Sequence, residues 1–370
     1  MSKITLCMIV KNEEEILERS LSSIAPLVDE MIITDTGSID ATIDIAKKFT
    51  KHVKHFEWCD DFSAARNFCS SFVTTQYILR WDADFILKEG HIAKLLELKD
   101  RDLLNADRVY LRWNVDHGDD GTPIKYMQNY FIYRTDMFTW KYPVHNLLTP
   151  VVPHQKIKNL IRMDIEVDHH KDRKKKEYRY SQTAKLVKEV LQKEPNNPRY
   201  LMNYSEGLMF DGNYIEAIGY LYRYLEYEDN SEKQDVVERK ASAIDKLVYA
   251  LIKAGRLREA EKQLSHLPSA VFSHPLVQLS RADILSITSP TDAIPVFRNY
   301  LHHPVTPENN GNVYDHERFY VHPRLILGTL LSERNIPEAL IYINDALRAT
   351  RVGETKDKII HLLENLGEQI

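Results

Sequence analysis

Cysteine is scarce: Cys7, Cys59 and Cys69 are the only three in 370 residues. An odd number at no metal-ligand spacing excludes a disulfide framework and a zinc site, and makes a reducing cytoplasm the expected compartment. Long apolar runs are missing as well. The longest early one, Leu6 to Val10, is closed by Lys11 and by Glu13, Glu14 and Glu15, well short of a signal-peptide core or the roughly 20 residues of a membrane span. A soluble, unexported chain with no membrane span is therefore expected. Positive charge is not in surplus either: Lys+Arg 49 against Asp+Glu 54 gives a net charge of -5, which excludes a nucleic-acid-binding composition. A 43% hydrophobic content with 28% charged residues excludes disorder. The length exceeds the roughly 100–200 residues of one core, so two domains, or a domain and a repeat array, are expected.

What is present divides into two halves. Up to about residue 165, short β-branched or aromatic runs alternate with helix-like stretches, the pattern of a predominantly parallel sheet flanked by helices. Candidate strands are 4–10, 31–34, 51–56, 77–81, 108–113 and 129–133. Between the first two, residues 14–25 put Ile16, Leu17, Leu21 and Ile24 on one helical face, and Asp40 reads as the N-cap of a helix through Lys48. From about Asp172 the sequence becomes helix upon helix. Four segments share a turn, an acidic residue and an alanine: 213–218 with Ala217, 255–261 with Ala260, 290–294 with Ala293, and 335–340 with Ala339. Their spacings of 43, 33 and 46 residues bracket the 34-residue tetratricopeptide period without holding to it. Irregular tetratricopeptide-like hairpins are expected, stacked so as to leave a concave surface for a peptide or protein. The tyrosine cluster at Tyr200, Tyr204, Tyr214, Tyr220, Tyr222, Tyr224 and Tyr227 reads chiefly as filling of the hairpin seam.

The strongest chemical signal is Asp82-Ala83-Asp84 after a hydrophobic strand. In an extended segment alternate side chains point the same way, so both aspartates can address one hard cation, Mg²⁺ or Mn²⁺, that neutralises a leaving diphosphate. An isolated pair of this kind reads equally as a strand end capping a helix. Three further segments weigh against that. Cys7 to Glu14 brings a buried strand to Asn12 and Glu13; Ile32 to Asp40 does the same for Asp35, with Gly37 in a tight turn; and Trp58 to Asn67 opens a helix with Arg66 and Asn67 in its early turns. Open α/β sheets bind nucleotides at such strand ends, where Asp35 can accept from a base or ribose and Arg66 can grip a base carbonyl or phosphate.

In this order the segments C-M-I-V-K-N-E, D-T-G-S-x-D, D-D-F-S-x-A-R-N and D-A-D resemble inverting glycosyltransferases of family 2 with the GT-A fold. The closer resemblance is to the tetratricopeptide-bearing branch that includes bacteriocin peptide S-glycosyltransferases. It implies a GT-A domain over 1–170 and a helical repeat domain over 171–370. It implies a nucleoside-diphosphate sugar, UDP first, beside Val10, Glu13, Asp35, Arg66, Asp82 and Lys171. The metal falls on Asp82 and Asp84 with His169 as third ligand; His169 aligns with the family's histidine, while His170-Lys171 departs from its usual follow-on.

The acceptor side aligns at residues 140–146, where the family segment usually ends His-Glu. Here that place is Asn146, and an amide cannot take a proton. His145, of the residue type that titrates nearest neutrality, is one substitute; Asp116, Asp119 and Asp120, in a loop after a strand, are others. A structural place for His145, packed under the sheet, stands beside these. A thiol acceptor needs less help, being a few per cent thiolate at neutral pH. The expected activity is metal-dependent, inverting sugar transfer to a Ser, Thr or Cys of a peptide or protein held by the repeats, with a homodimer through the repeats left open. Rival readings are a lipid or polysaccharide acceptor, a non-catalytic adaptor on a decayed fold, and a nucleotidyltransferase.

Overall fold

The computed structural model describes residues 2–170, 173–227, 233–306 and 313–367, and for 173–182 the backbone alone. The chain divides into two compact units: Met1–Val115 with Tyr126–Leu186, and Asp116–Lys125 with Val187–Ile370.

The first unit opens β1 (Ile4–Val10), α1 (Leu17–Ile24), β2 (Glu30–Asp35), α2 (Thr42–Phe49), β3 (Val53–His55), α3 (Phe62–Ser70) and β4 (Tyr77–Arg80). It continues with β5 (Phe85–Leu87), α4 (Ile92–Arg101), β6 (Arg108–His117), β7 (Pro123–Arg134), β8 (Phe138–Lys141), β9 (Leu147–Pro150) and β10 (Asn159–His169). Strands follow the path β3-β2-β1-β4-β7-β6-β10-β5, while β8 and β9 form a separate pair. β1, β2, β3 and β4 are mutually parallel, but β4 meets β7 and β10 meets β5 antiparallel. The sheet is thus mixed rather than predominantly parallel. The added strands β5, β8, β9 and β10 are short or interrupted by polar residues, which hid them from periodicity.

β1 is buried on both faces, as a central parallel strand should be. Ile4, Leu6, Met8 and Val10 pack with Leu17, Leu21 and Ile24 of α1 on one side; Cys7 and Ile9 meet Cys69 of α3, Tyr133 and Trp140 on the other. The three thiols are free, Cys7 and Cys69 buried and Cys59 exposed. After β3 the order of strands reverses across β1, so β1 and β4 flank a topological switch point, where open α/β sheets form their ligand crevice.

α5 (Arg173–Lys193) leads into helical hairpins: α6 (Pro198–Phe210) with α7 (Tyr214–Tyr227), then α8 (Gln234–Lys253) with α9 (Leu257–Ser265). A short α10 (Ser269–Phe272) precedes α11 (Pro275–Thr288) with α12 (Pro290–His302); α13 (His322–Leu331) then pairs with α14 (Ile336–Ala349), before α15 (Gly353–Asn365). The recurrent sequence grammar has a physical basis. Asn213 and Asn335 cap the second helices of their hairpins by accepting from Glu216 N and Glu338 N, and their side-chain amides donate to the Glu216 and Glu338 carboxylates at 2.8 and 3.0 Å. Arg256 with Glu259 and Ser289 with Asp292 repeat the pairing. Ala217, Ala260, Ala293 and Ala339, next in sequence to these acids, are all 0% exposed, because a larger side chain would push the paired helices apart. Spacing is irregular: the 20-residue α8 falls in the 43-residue interval and a π-turn at Glu317–Val321 in the 46-residue one. Of the tyrosines, Tyr200, Tyr204 and Tyr224 are buried in the seam, whereas Tyr227 is exposed. No helix among the described residues is long and apolar enough to cross a membrane.

Candidate functional site

The carboxyl ends of β2, β1 and β4 carry Asp35, Val10 and the Asp82 turn along one sheet edge. Two loops are laced together at its rim. Asn12, at φ 55, accepts from Ile39 N through its side chain and donates its own N–H to Ser38 Oγ. Glu13 N donates to Thr42 Oγ1, and Glu14 Oε2 accepts from Ala41 N. Gly37 holds φ 102, which only glycine adopts freely. Val10 O accepts from both N and Oγ1 of Thr36. Asp35 is 2% exposed: its carboxylate accepts from Gly37 N at 2.9 Å and Ser38 N at 3.2 Å, and lies 3.8 Å from His55. It therefore mainly caps its own turn. Asp40 stands just outside α2, accepting from Thr42 N and Glu14 N, one position earlier than a simple N-cap.

Each residue of the Asp-Asp-Phe-Ser-Ala-Ala-Arg-Asn segment has a mechanical part. Asp61 caps α3 by accepting from Ala64 N and from Ser63 Oγ. Arg66, one turn in, donates to Asp82 Oδ1 at 2.7 Å and lies over the Trp140 ring. Asn67 donates to Trp140 O at 2.9 Å and accepts from Trp140 N at 3.0 Å, so β8 is latched to α3. Phe62 N donates to Pro143 O. Replacing Asn67 with Ala should lower the first unit's stability by about 2 kcal/mol, the scale of stranding two buried backbone groups. Denaturant unfolding followed by tryptophan fluorescence reads this unit alone, as Trp58, Trp81, Trp113 and Trp140 all lie in it. A loss below about 0.5 kcal/mol would show the latch to be idle.

The expected convergence of Asp82 and Asp84 on one cation is not what the chain forms. Residues 82–84 leave the strand in a turn, Phe85 N donating to Asp82 O, so the alternation argued for an extended segment does not apply. Asp82 turns to Arg66 and to Arg80, whose Nη2 is 3.2 Å from Oδ2. Burial alone would raise the Asp82 carboxyl, but the two guanidiniums outweigh it and hold it at about 2. Asp84, 9% exposed, turns instead to His169, with Oδ2 3.1 Å from Nε2. The antiparallel register that sets His169 opposite Phe85 makes this pairing, and Phe85 and Trp113 hold the imidazole edge-on and tilted at 5.6 and 5.4 Å. His169 faces inward and His170 is exposed. Asp82, Asp84 and His169 thus do not face one another as a group of three: Asp84 pairs with His169, and Asp82 with the two arginines. Among the described residues no group of three His, Cys, Asp or Glu is gathered for a metal. A carboxylate oxygen and an imidazole nitrogen nonetheless fit Mg²⁺ or Mn²⁺, which commonly take one or two protein ligands with the rest from phosphate and water.

Arg80 was not singled out by sequence reasoning. A charged residue inside the otherwise apolar run Tyr77 to Trp81 was the available signal. It is 8% exposed, between the rings of Phe85 and Phe131 at 5.1 and 5.6 Å. Burial lowers its affinity for the proton and Asp82 only partly offsets this, whereas Asp82 outweighs burial at Arg66 and raises it.

The remaining candidates scatter. His145 is exposed at φ 48, beside Tyr142 at φ 74, so it is not packed under the sheet; backbone held in such regions is characteristic of functional loops. Asp116, Asp119 and Asp120 belong to the second unit, where Asp119 accepts from Gly353 N and Asp120 from Thr122 N. They are not among the groups gathered round Asp82. Lys171 lies outside the described residues.

Residues 5–151 match the model of Glycosyl transferase family 2. The chain carries a family 2 glycosyltransferase domain. The glycosyltransferase SunS of Bacillus subtilis is 28% identical over 59% of this chain and 52% of its own length. A TPR repeat-containing protein of Synechococcus elongatus is 48% identical over 23% of this chain and 21% of its own. The chain thus spans from a fifth to about half of these curated relatives. Among solved structures, MamA aligns at 18% identity over 50% of this chain and 96% of that one, TM-score 0.35. Glucosyl-3-phosphoglycerate synthase of Mycobacterium tuberculosis, in complex with Mg²⁺ and UDP, aligns at 22% identity over 30% and 44%, TM-score 0.25. Overlaps this small bear on neither fold nor site. In this domain the Asp84–His169 pair and the Arg66–Asp82–Arg80 cluster lie just beyond the carboxyl end of β4.

Proposed function

We propose that the domain transfers a sugar with inversion from a nucleoside diphosphate, UDP first, to a Ser, Thr or Cys of a peptide or protein recruited by the helical hairpins. The observation that carries this reading is Asp84 against His169, next to Asp82 on Arg66, at the β1/β4 switch point of a family 2 domain. The likeness to a glycosyltransferase, SunS, supports the reaction class, and stacked hairpins support a polypeptide acceptor.

The acceptor's oxygen or sulfur forms a bond to the anomeric carbon from the face opposite the diphosphate. The bond from that carbon to the phosphate oxygen breaks, and its electron pair leaves on the nucleoside diphosphate. Asp84 and His169 would hold the Mg²⁺ or Mn²⁺, which when bound neutralises charge on the departing phosphates. Arg66 and Arg80 add fixed positive charge in a partly dehydrated site, where preorganised charge acts most strongly. Asp35, Val10 and Glu13 form the nucleoside-side rim, and Lys171 remains a diphosphate candidate. His145, exposed on its strained loop, is the first unit's candidate to take the acceptor proton; a cysteine acceptor arrives partly as thiolate and asks least of it.

A thermal-shift panel of nucleoside-diphosphate sugars with and without Mn²⁺ tests the donor, since ligands that bind only the native state raise its apparent stability. Stabilisation by UDP-sugars, followed by sugar transfer to a peptide but not to extracted glycolipid, is the expected result. No response to any nucleotide sugar, and no release of free sugar with Mn²⁺, would refute the reading.

A further inference from the structure

Two guanidiniums share one carboxylate at the base of the crevice. Among the described residues Asp82 is the single acid within hydrogen-bond reach of Arg66 or Arg80, and the buried Nε atoms of both arginines have no partner. The neighbouring acid, Asp84, is turned to His169. The cluster therefore carries one positive charge in excess. Its side chains are not free to swing away: the Arg66 guanidinium lies 5.0 Å from the Trp140 ring and Arg80 is wedged between Phe85 and Phe131. A cavity of about 10 Å³ lined by both arginines with Cys7, Cys69, Tyr133 and Ser70 has room for about one water, too little for a nucleotide.

We propose that Arg80 is a binding residue of the donor pocket: sharing the one Asp82 carboxylate with Arg66, it leaves an excess positive charge that binds a nucleoside diphosphate without any divalent cation. This rests on the donor reading above and deepens it. Binding then has two separable contributions, one from the metal at Asp84 and His169, the other from the arginine pair.

Titration calorimetry with UDP, in EDTA and in Mn²⁺, measures both. Wild type should bind UDP in EDTA, more weakly as salt rises, because the attraction is screened over roughly 10 Å at 0.1 M. Arg80→Met, whose flexible thioether suits a slot between two rings, should lose about 10-fold or more of the EDTA affinity, the scale of one unit charge in a partly screened site. The ratio of affinities with and without Mn²⁺ should stay as in wild type, a constancy that a merely misfolded pocket would not show. Arg80→Lys should restore most of the EDTA affinity. Wild type binding UDP only with Mn²⁺, or Arg80→Met binding in EDTA as wild type does, overturns the proposal even if the methionine variant alone folds poorly. Failure of wild type to bind UDP with Mn²⁺ as well overturns the donor reading, and the proposal with it.

Discussion

Asp84→Asn is expected to reduce sugar transfer by roughly 10²–10³-fold or more, the scale on which removing one preorganised electrostatic group slows an enzyme. The substitution keeps the shape of the side chain and a polar contact to His169, now 3.1 Å from Asp84 Oδ2, so folding should change by about 1 kcal/mol at most. What disappears is the negative charge. A neutral amide oxygen is a weaker ligand for Mg²⁺ or Mn²⁺ than a carboxylate, and His169 would be left without a charged co-ligand. Turnover should therefore fall, and the gain in UDP affinity on adding Mn²⁺ should vanish, while binding in EDTA persists through Arg66 and Arg80. Transfer assays at saturating donor separate the loss of turnover from weakened binding. A variant with full turnover and unaltered metal dependence would show that Asp84 has no part in stabilising the leaving group.

The largest expected effect on stability lies in the helical unit. The π-turn at Glu317–Val321 aims Arg318 between two acids, with Nη2 2.7 Å from Asp283 and 3.2 Å from Asp245. Asp283 also meets His322 at 2.8 Å and Asp245 accepts from Ser280 Oγ. Burial would push the Asp283 carboxyl up, but Arg318 and His322 hold it below the usual range. Arg318→Met removes the cation that both carboxylates share, and breaking a buried pair from one side costs about 3–5 kcal/mol. Far-ultraviolet dichroism in denaturant should report the loss, with tryptophan fluorescence, confined to the other unit, nearly unchanged. Sign follows from the direction of the shift. A native carboxyl held below its unfolded value of about 3.9 contributes fully above about pH 4, and that contribution fades as pH falls through the native value. The deficit of the variant should accordingly shrink in acid. A loss under about 1 kcal/mol at pH 7 would refute the account, as would a deficit that grows on acidification.

Strong local signals were legible where local physics decides them. The apolar run of β1, buried on both faces, and the amphipathic face of α1 emerged at nearly their observed bounds. Asn213 with Glu216 and Asn335 with Glu338 read as hairpin starts because a helix cap and an acid three positions on are local in sequence, and the alanine beside each acid marks the close approach of helices. Arg66 and Asn67 read as residues of a helix's early turns, though not which partners they meet. By contrast, β5 is three residues long, and nothing in its composition says that it lies antiparallel to β10.

Composition, periodicity and motif order thus determined, without coordinates, a chain of an α/β domain and helical hairpins. Only the tertiary structure decided how its residues are partnered. Asp82 and Asp84 are two positions apart, yet a turn sends one to Arg66 and Arg80 and the other to His169, 85 positions further on. The reason is that hydrogen-bonding chemistry is local to a side chain, whereas its direction is set by strand register and helix packing, which depend on contacts from the whole domain.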